Sequence, residues 1–168
     1  MLLLINLGDG PYVADVGFGG LTLTGPLKLE ADIVQVTPHE TFRVRRAGDA
    51  FIMQADISGA WKSLYRFELQ QQFLVDYEVT NWYLSNHPQS PFVTGLIAAR
   101  PDSDHRYALR NNEFTVHHRR GGTERHLLTS AAELRTTLES TFRLTLPTRP
   151  ELDVALERLV ASTEPVLA

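Results

Sequence analysis

The residues best placed to do chemistry begin at Asp15. It ends the stretch Tyr12-Val13-Ala14-Asp15-Val16 and leads into Gly17-Phe18-Gly19-Gly20-Leu21. A carboxylate at a strand end can orient an imidazole, fix its tautomer and stabilise the imidazolium. A plainer role fits the same residues: a strand-end Asp capping a glycine turn. By residue type alone, an Asp-x-Gly favours that role. Gly17, Gly19 and Gly20 let backbone approach a ligand closely and take positive φ. They equally suit a bulge or tight turn that bends a strand, and spacing does not separate the two. The stretch is not a phosphate loop, because no Gly-Lys-Ser/Thr follows it.

Other chemistry-bearing groups are scattered. His117, His118 and His126 fall on two expected strands joined by Gly121-Gly122. One of the first two can pair across with His126, but no third ligand is evident, so zinc is disfavoured. Arg119, Arg120 and Arg125 can meet a phosphate, although such clusters are more often solvated turns. Further back, Asn81-Trp82-Tyr83-Leu84-Ser85-Asn86-His87-Pro88-Gln89-Ser90-Pro91-Phe92 joins an aromatic stretch to a proline-bracketed loop. By residue type alone Phe92 belongs in a core.

Elements must position these groups. Leu2–Leu7 and Pro11–Val16 flank Gly8-Asp9-Gly10, a hairpin signal. Thr41–Arg46 and Ala50–Gln54 flank Gly48-Asp49 in the same way, and Trp61–Leu69 alternates apolar with polar residues. Short strands with turns between them predict a small antiparallel barrel or sandwich. Asp76–Leu84 reads as a short helix, Asn86–Pro91 as a loop and Phe92–Ala99 as a strand. Arg106–Leu109, Glu113–His118 and Thr123–Leu128 read as a three-stranded meander. Ser130 and Glu133 form a capping box that opens a helix running to about Phe142. Pro150 opens a last helix, with Leu152, Ala155, Leu156, Leu159 and Val160 on one face.

Composition sets the class. At 168 residues, 43% hydrophobic and 21% charged, the chain can bury a real core. A net charge of −4 argues against nucleic acid or an anionic membrane as partner. No apolar run spans a bilayer, and Met1–Ile5 lacks the basic flank and length of a signal peptide. With no cysteine there is no disulfide framework, and a cytoplasmic location is the default.

Three segments together resemble the arylamine N-acetyltransferases. These are Asp15-Val16-Gly17-Phe18-Gly19-Gly20, the Ser85-Asn86-His87-Pro88-Gln89-Ser90-Pro91-Phe92 run, and Thr22-x-Thr24-x-Pro26-Leu27 with Thr37-Pro38-His39. The family has threonine where Asn86 stands. The resemblance runs from Tyr12 to about Pro147. It implies an α+β chain: an antiparallel β-barrel followed by an α/β lid, as in the C-terminal two thirds of that cysteine-protease-like fold. The barrel with its linking helix would occupy residues 1–92, and the lid 93–168.

The resemblance also implies a function. Asp15 would be the third member of a Cys-His-Asp triad. The reaction would be ping-pong: acetyl-CoA acylates the cysteine, and an arylamine or arylhydrazine takes the acetyl group. Acetyl-CoA would be a co-substrate and not a bound cofactor. Gly17, Phe18, Gly19, Gly20, Ser85 and Phe92 would line the cleft for coenzyme A and the amine. His39 is excluded as the triad histidine, which precedes the aspartate in this family, and is expected to be a turn residue.

The family's cysteine sits in a helical domain inside an Arg-Gly-Gly-x-Cys-like motif, and nothing here matches it. Its histidine lies roughly fifteen positions before the aspartate, which falls ahead of Met1. The expectation is that Met1 is an internal methionine of a longer protein, or a start left by deletion or misassignment. The chain alone would then be inactive. It would expose apolar surface where the helical domain packs, and self-associate. The alternative is a non-catalytic binding or regulatory remnant of the same fold. A relative that makes amides in secondary metabolism is not separable from the first reading.

Overall fold

The computed structural model describes residues 2–15, 17–119 and 121–161. Val16 and Arg120, both singled out above, lie outside the described residues.

Local turn chemistry sets the strand plan. Leu2–Leu7 (β1) and Gly10–Asp15 (β2) pair antiparallel through the Gly8–Gly10 turn, with Leu2 opposite Asp15. Leu27–Lys28 (β3) adds to the far side of β2, completing a three-stranded sheet. A four-stranded sheet follows, in the order Gln35–Val36 (β4), Thr41–Ala47 (β5), Ala50–Ile57 (β6) and Ala60–Phe67 (β7). Gly48 turns β5 into β6 at φ +64°, and Ser58-Gly59 turns β6 into β7 at φ +56° and +82°. Such turns need positive φ to match strand twist.

The expected hairpins are therefore present. The expected closed barrel is not: among the described residues no sheet closes on itself. Apolar alternation faces Val13, Leu27, Phe42, Val44, Met53 and Ala55 into one core, as the two-residue strand period requires.

Leu74–Asn86 (α1) is longer than the expected helix at both ends. The backbone N–H of Phe73 donates to Asp76 Oδ2 at 2.8 Å and starts it. None of its residues is buried. Leu74, Val79 and Trp82 are each more than 60% exposed, and its apolar residues do not gather on one face.

The next segment corrects a sequence expectation. Phe92 does not open a strand. Pro91–Thr94 is a one-turn helix (α2), and the strand begins only at Ile97. Pro91 occupies the first helical position, where its missing N–H costs nothing. Ser90 caps the turn ahead of it.

Ile97–Pro101 (β8), His105–Arg110 (β9), Glu113–His118 (β10) and Thr123–Leu127 (β11) form a four-stranded sheet in sequential order. The meander thus gains a fourth strand. Asn111, at φ +53°, makes the β9–β10 turn, and its Oδ1 accepts the Leu96 N–H at 3.0 Å. Ala131–Ser140 (α3) and Pro150–Ala161 (α4) complete the chain. Ser130 Oγ accepts the Glu133 N–H at 3.1 Å, and the Glu133 carboxylate accepts the Thr129 N–H at 2.7 Å. α3 ends where Arg143 takes φ +57° and the Leu144 N–H returns to the Leu138 carbonyl. A left-handed residue thus ends the helix without glycine. Leu109, Leu134, Leu138, Phe142 and Leu156 form the second core.

The chain divides into two compact units. The first is Met1–Gln72 with Pro101–His105 and Arg119–Gly121, and the second holds the rest, including α1. The architecture is α+β. Among the described residues no helix is long and apolar enough to cross a membrane.

Candidate active site

Asp15 is the last residue of β2, and only 6% of its surface is exposed. β2 delivers it to the turn already anchored. The Gly17 N–H donates to Asp15 Oδ1 at 2.9 Å, and the Thr22 hydroxyl donates to the Asp15 carbonyl at 3.0 Å. The first bond is the turn-capping role that residue type alone favoured. It also fixes the carboxylate's direction, so the plain and the chemical readings coexist. Gly19, at φ +91°, accepts the Thr22 N–H at 3.0 Å and closes the turn. A side chain there would meet no atom within 4 Å, so backbone conformation alone demands glycine.

A second group, which sequence reasoning missed, stands beside Asp15. Tyr65 on β7 turns a buried hydroxyl toward the carboxylate. Burial first, then the Asp15 carboxylate beside it, as a hydrogen-bonding neighbour and after that as a charge, push the phenol far above its ordinary range. The hydroxyl closes no hydrogen bond of ordinary geometry among the described residues. Phe18 packs on the Tyr65 ring at 4.7 Å between centroids and stays 41% exposed. Tyr65 in turn meets Phe67 at 6.1 Å, and Phe67 stacks on Phe51 at 5.5 Å. The turn after Asp15 therefore carries an open aromatic face backed by a row of rings. Gly17 and Gly19 are exposed and Gly20 is half-buried.

Ser85 and Phe92 belong to the second unit. Ser85 is exposed near the end of α1. Phe92 is 61% exposed, so it is not the core residue that its type suggested. Its position comes from Ser90, which is fully buried. Ser90 Oγ donates to the Leu84 carbonyl at 2.6 Å and accepts the Phe92 N–H at 3.3 Å. Ser90 is thus the pin between α1 and α2. The sequence showed the residue but not this role, although a serine immediately ahead of proline is a capping signal.

His39 is a turn residue, as expected. It sits 9% exposed in the bend between Thr37 and Glu40, with Nδ1 3.6 Å from Glu40 Oε2 and Nε2 against the Asp102 carbonyl. Of the strand histidines, His118 reaches Glu124 at 2.7 Å and His126 reaches it at 3.5 Å. Among the described residues no group of three candidate ligands is arranged to hold a metal. His117 Nδ1 lies 3.1 Å from the Thr123 hydroxyl. Burial first, then the charges of Arg106 and Arg125, hold its pKa down to about 4. Arg125 lies 3.8 Å from Glu113, across the strand pair.

The chain is similar to known proteins along most of its length. The family profile described as N-acetyltransferase matches residues 1–151. The arylamine N-acetyltransferase of Mycolicibacterium smegmatis is 45% identical over 138 residues, which is 82% of this chain and 50% of that protein. The solved arylamine N-acetyltransferase of M. tuberculosis superposes with a TM-score of 0.87 at 38% identity, over 93% of this chain and 60% of that one. The Mycobacterium marinum enzyme in complex with CoA gives 0.88 at 38% identity, over 94% and 60%. The chain spans about half the length of the curated relatives it matches. With its buried strand-end aspartate, its glycine turn and its match along most of its length, the chain belongs to the arylamine N-acetyltransferase family.

Proposed function

We propose that this chain supplies the aspartate-bearing part of an acetyl-CoA-dependent arylamine N-acetyltransferase. The observation that carries the reading is Asp15, buried at a strand end with one oxygen held by the Gly17 N–H. A carboxylate so fixed can accept the N–H of an imidazole and stabilise its protonated form. That imidazolium would favour a cysteine thiolate. The thiolate attacks the acetyl carbonyl of acetyl-CoA, the bond to the CoA sulfur breaks, and CoA leaves. The amine nitrogen then attacks the enzyme thioester, forming the amide and returning the thiol.

The chain contains no cysteine, so these 168 residues do not supply the nucleophile. Asp15 is their contribution to the triad. In this reading Gly17, Phe18, Gly19 and Gly20, with Ser85 and Phe92, contact the coenzyme and the amine. The M. marinum relative's complex with CoA supports acetyl-CoA as co-substrate; in the same reading the chain holds no permanently bound cofactor. A cytoplasmic location goes with such chemistry. The apolar residues left open on α1 make self-association of the isolated chain part of the same reading.

The missing thiol favours one second reading, a non-catalytic remnant that binds coenzyme A or a partner. The test is calorimetric titration of the purified chain with coenzyme A, alongside an assay of CoA release from acetyl-CoA plus an arylamine. Coenzyme A binding without turnover is expected. Turnover by this cysteine-free chain would overturn the thiolate mechanism. Absence of any CoA binding would overturn the assignment of the glycine turn and Phe92 to the coenzyme.

A further inference from the structure

The second unit contains a cavity of about 570 Å³ that the acetyl-transfer reading does not use. Its walls come from three stretches far apart in sequence: Val93–Leu96 at the end of α2, the Leu144–Leu146 region after α3, and the face of α4 that runs from buried Leu156 to exposed Ala155 and Arg158. Leu138 and Leu156, 2% exposed each, are part of the rigid core beneath it. That volume lies within the ordinary range of small-molecule sites.

The lining restricts what fits. No aromatic ring lines it, so an aromatic guest finds no stacking partner. Five of the lining side chains besides Leu138 and Leu156 are leucines, which suits a flexible aliphatic tail. The Thr94 hydroxyl is committed, donating to the Ser90 carbonyl at 3.0 Å. Arg158 is the one charged lining residue; it stands exposed at the cavity mouth, and its side chain has no ion-pair or hydrogen-bond partner among the described residues. A guanidinium stays charged at all working pH values and matches a carboxylate through paired N–H donors.

We propose that this cavity binds a medium-chain fatty acid, its alkyl tail among the leucines of α3, α4 and their connection and its carboxylate on Arg158. Arg158 has one competing role. It lies in the last turn of α4, where a cation interacts favourably with the helix dipole. That role predicts a change in helix stability and none in ligand affinity.

The experiment is calorimetric titration of the full chain with decanoate, below its aggregation concentration, and with decanol. Decanoate is expected to saturate one site per chain and to bind at least tenfold tighter than decanol. Arg158→Gln should weaken decanoate at least tenfold and leave decanol unchanged, with the far-ultraviolet circular dichroism of the parent. Ala155→Phe, which puts a ring into the cavity from α4, should reduce both. Non-saturable uptake of decanoate overturns the proposal. So does equal affinity of the parent and Arg158→Gln chains, or undiminished binding by a folded Ala155→Phe chain.

Discussion

Tyr65 faces Asp15 across fifty residues of sequence, its hydroxyl buried and its ionisation suppressed by burial and by the carboxylate it looks at. A negative neighbour raises a phenol's pKa, and its removal lowers it. Asp15→Asn keeps the oxygen that receives the Gly17 N–H, so the turn survives. In a tyrosinate absorbance titration Tyr65 should ionise last of the five tyrosines, and Asp15→Asn should move that step to lower pH. An unmoved step would mean that burial alone controls the phenol.

The same hydroxyl bears on stability. A buried polar group without a partner carries a desolvation cost of about 1–3 kcal/mol. Tyr65→Phe removes that group and keeps the ring contact with Phe18. Urea denaturation should show stability unchanged or raised by about 1 kcal/mol. A loss of about 2 kcal/mol or more would show that Tyr65 donates to Asp15 in solution.

Ser90 joins two helices through one hydroxyl, donating to the Leu84 carbonyl and receiving the Phe92 N–H. Ser90→Ala abolishes both bonds inside a fully buried site. The expected cost is about 1–2 kcal/mol, read as a lower denaturation midpoint. Amide exchange at Phe92 should quicken at the same time. Unchanged exchange there would refute the pinning role.

His117 makes the second unit acid-sensitive. Its folded pKa, about 4, lies below the unfolded value of 6.5. The unfolded chain therefore binds the extra proton first, and stability falls as pH drops from about 6.5 toward 4. The side chain is only half-buried and solvent screens it, so the effect is about 1 kcal/mol or less. His117→Gln, which keeps an acceptor for Thr123, should flatten the stability–pH curve in that window and leave it alone above pH 7. An identical slope in the variant would assign the acid loss to other groups.

α1 leaves Leu74, Val79 and Trp82 each more than 60% exposed. Monomers rarely leave a large contiguous apolar patch open. The isolated chain is expected to self-associate at micromolar concentration in light scattering coupled to size exclusion. Val79→Lys with Trp82→Lys should shift it toward monomer. A monodisperse parent chain would count against this surface as the cause.

The amino-acid sequence by itself determined what depends on neighbours along the chain. Gly8-Asp9-Gly10 and Gly48-Asp49 marked hairpins because positive φ is a local requirement. Ser130 and Pro150 marked helix starts because caps act within one turn. The motif around Asp15 carried the family, since a strand-end carboxylate followed by glycines is a local pattern. Tertiary structure decided the rest. Tyr65 meets Asp15 only because β7 packs where β2 ends, and no periodicity encodes that contact. Phe92 sits in a helical turn because buried Ser90 caps it while holding the Leu84 carbonyl, whereas Phe92–Ala99 reads along the sequence as a strand. Arg143 stops α3 at positive φ without the glycine that usually announces such a stop. The leucine cavity takes its walls from three distant segments, and packing alone brings those together.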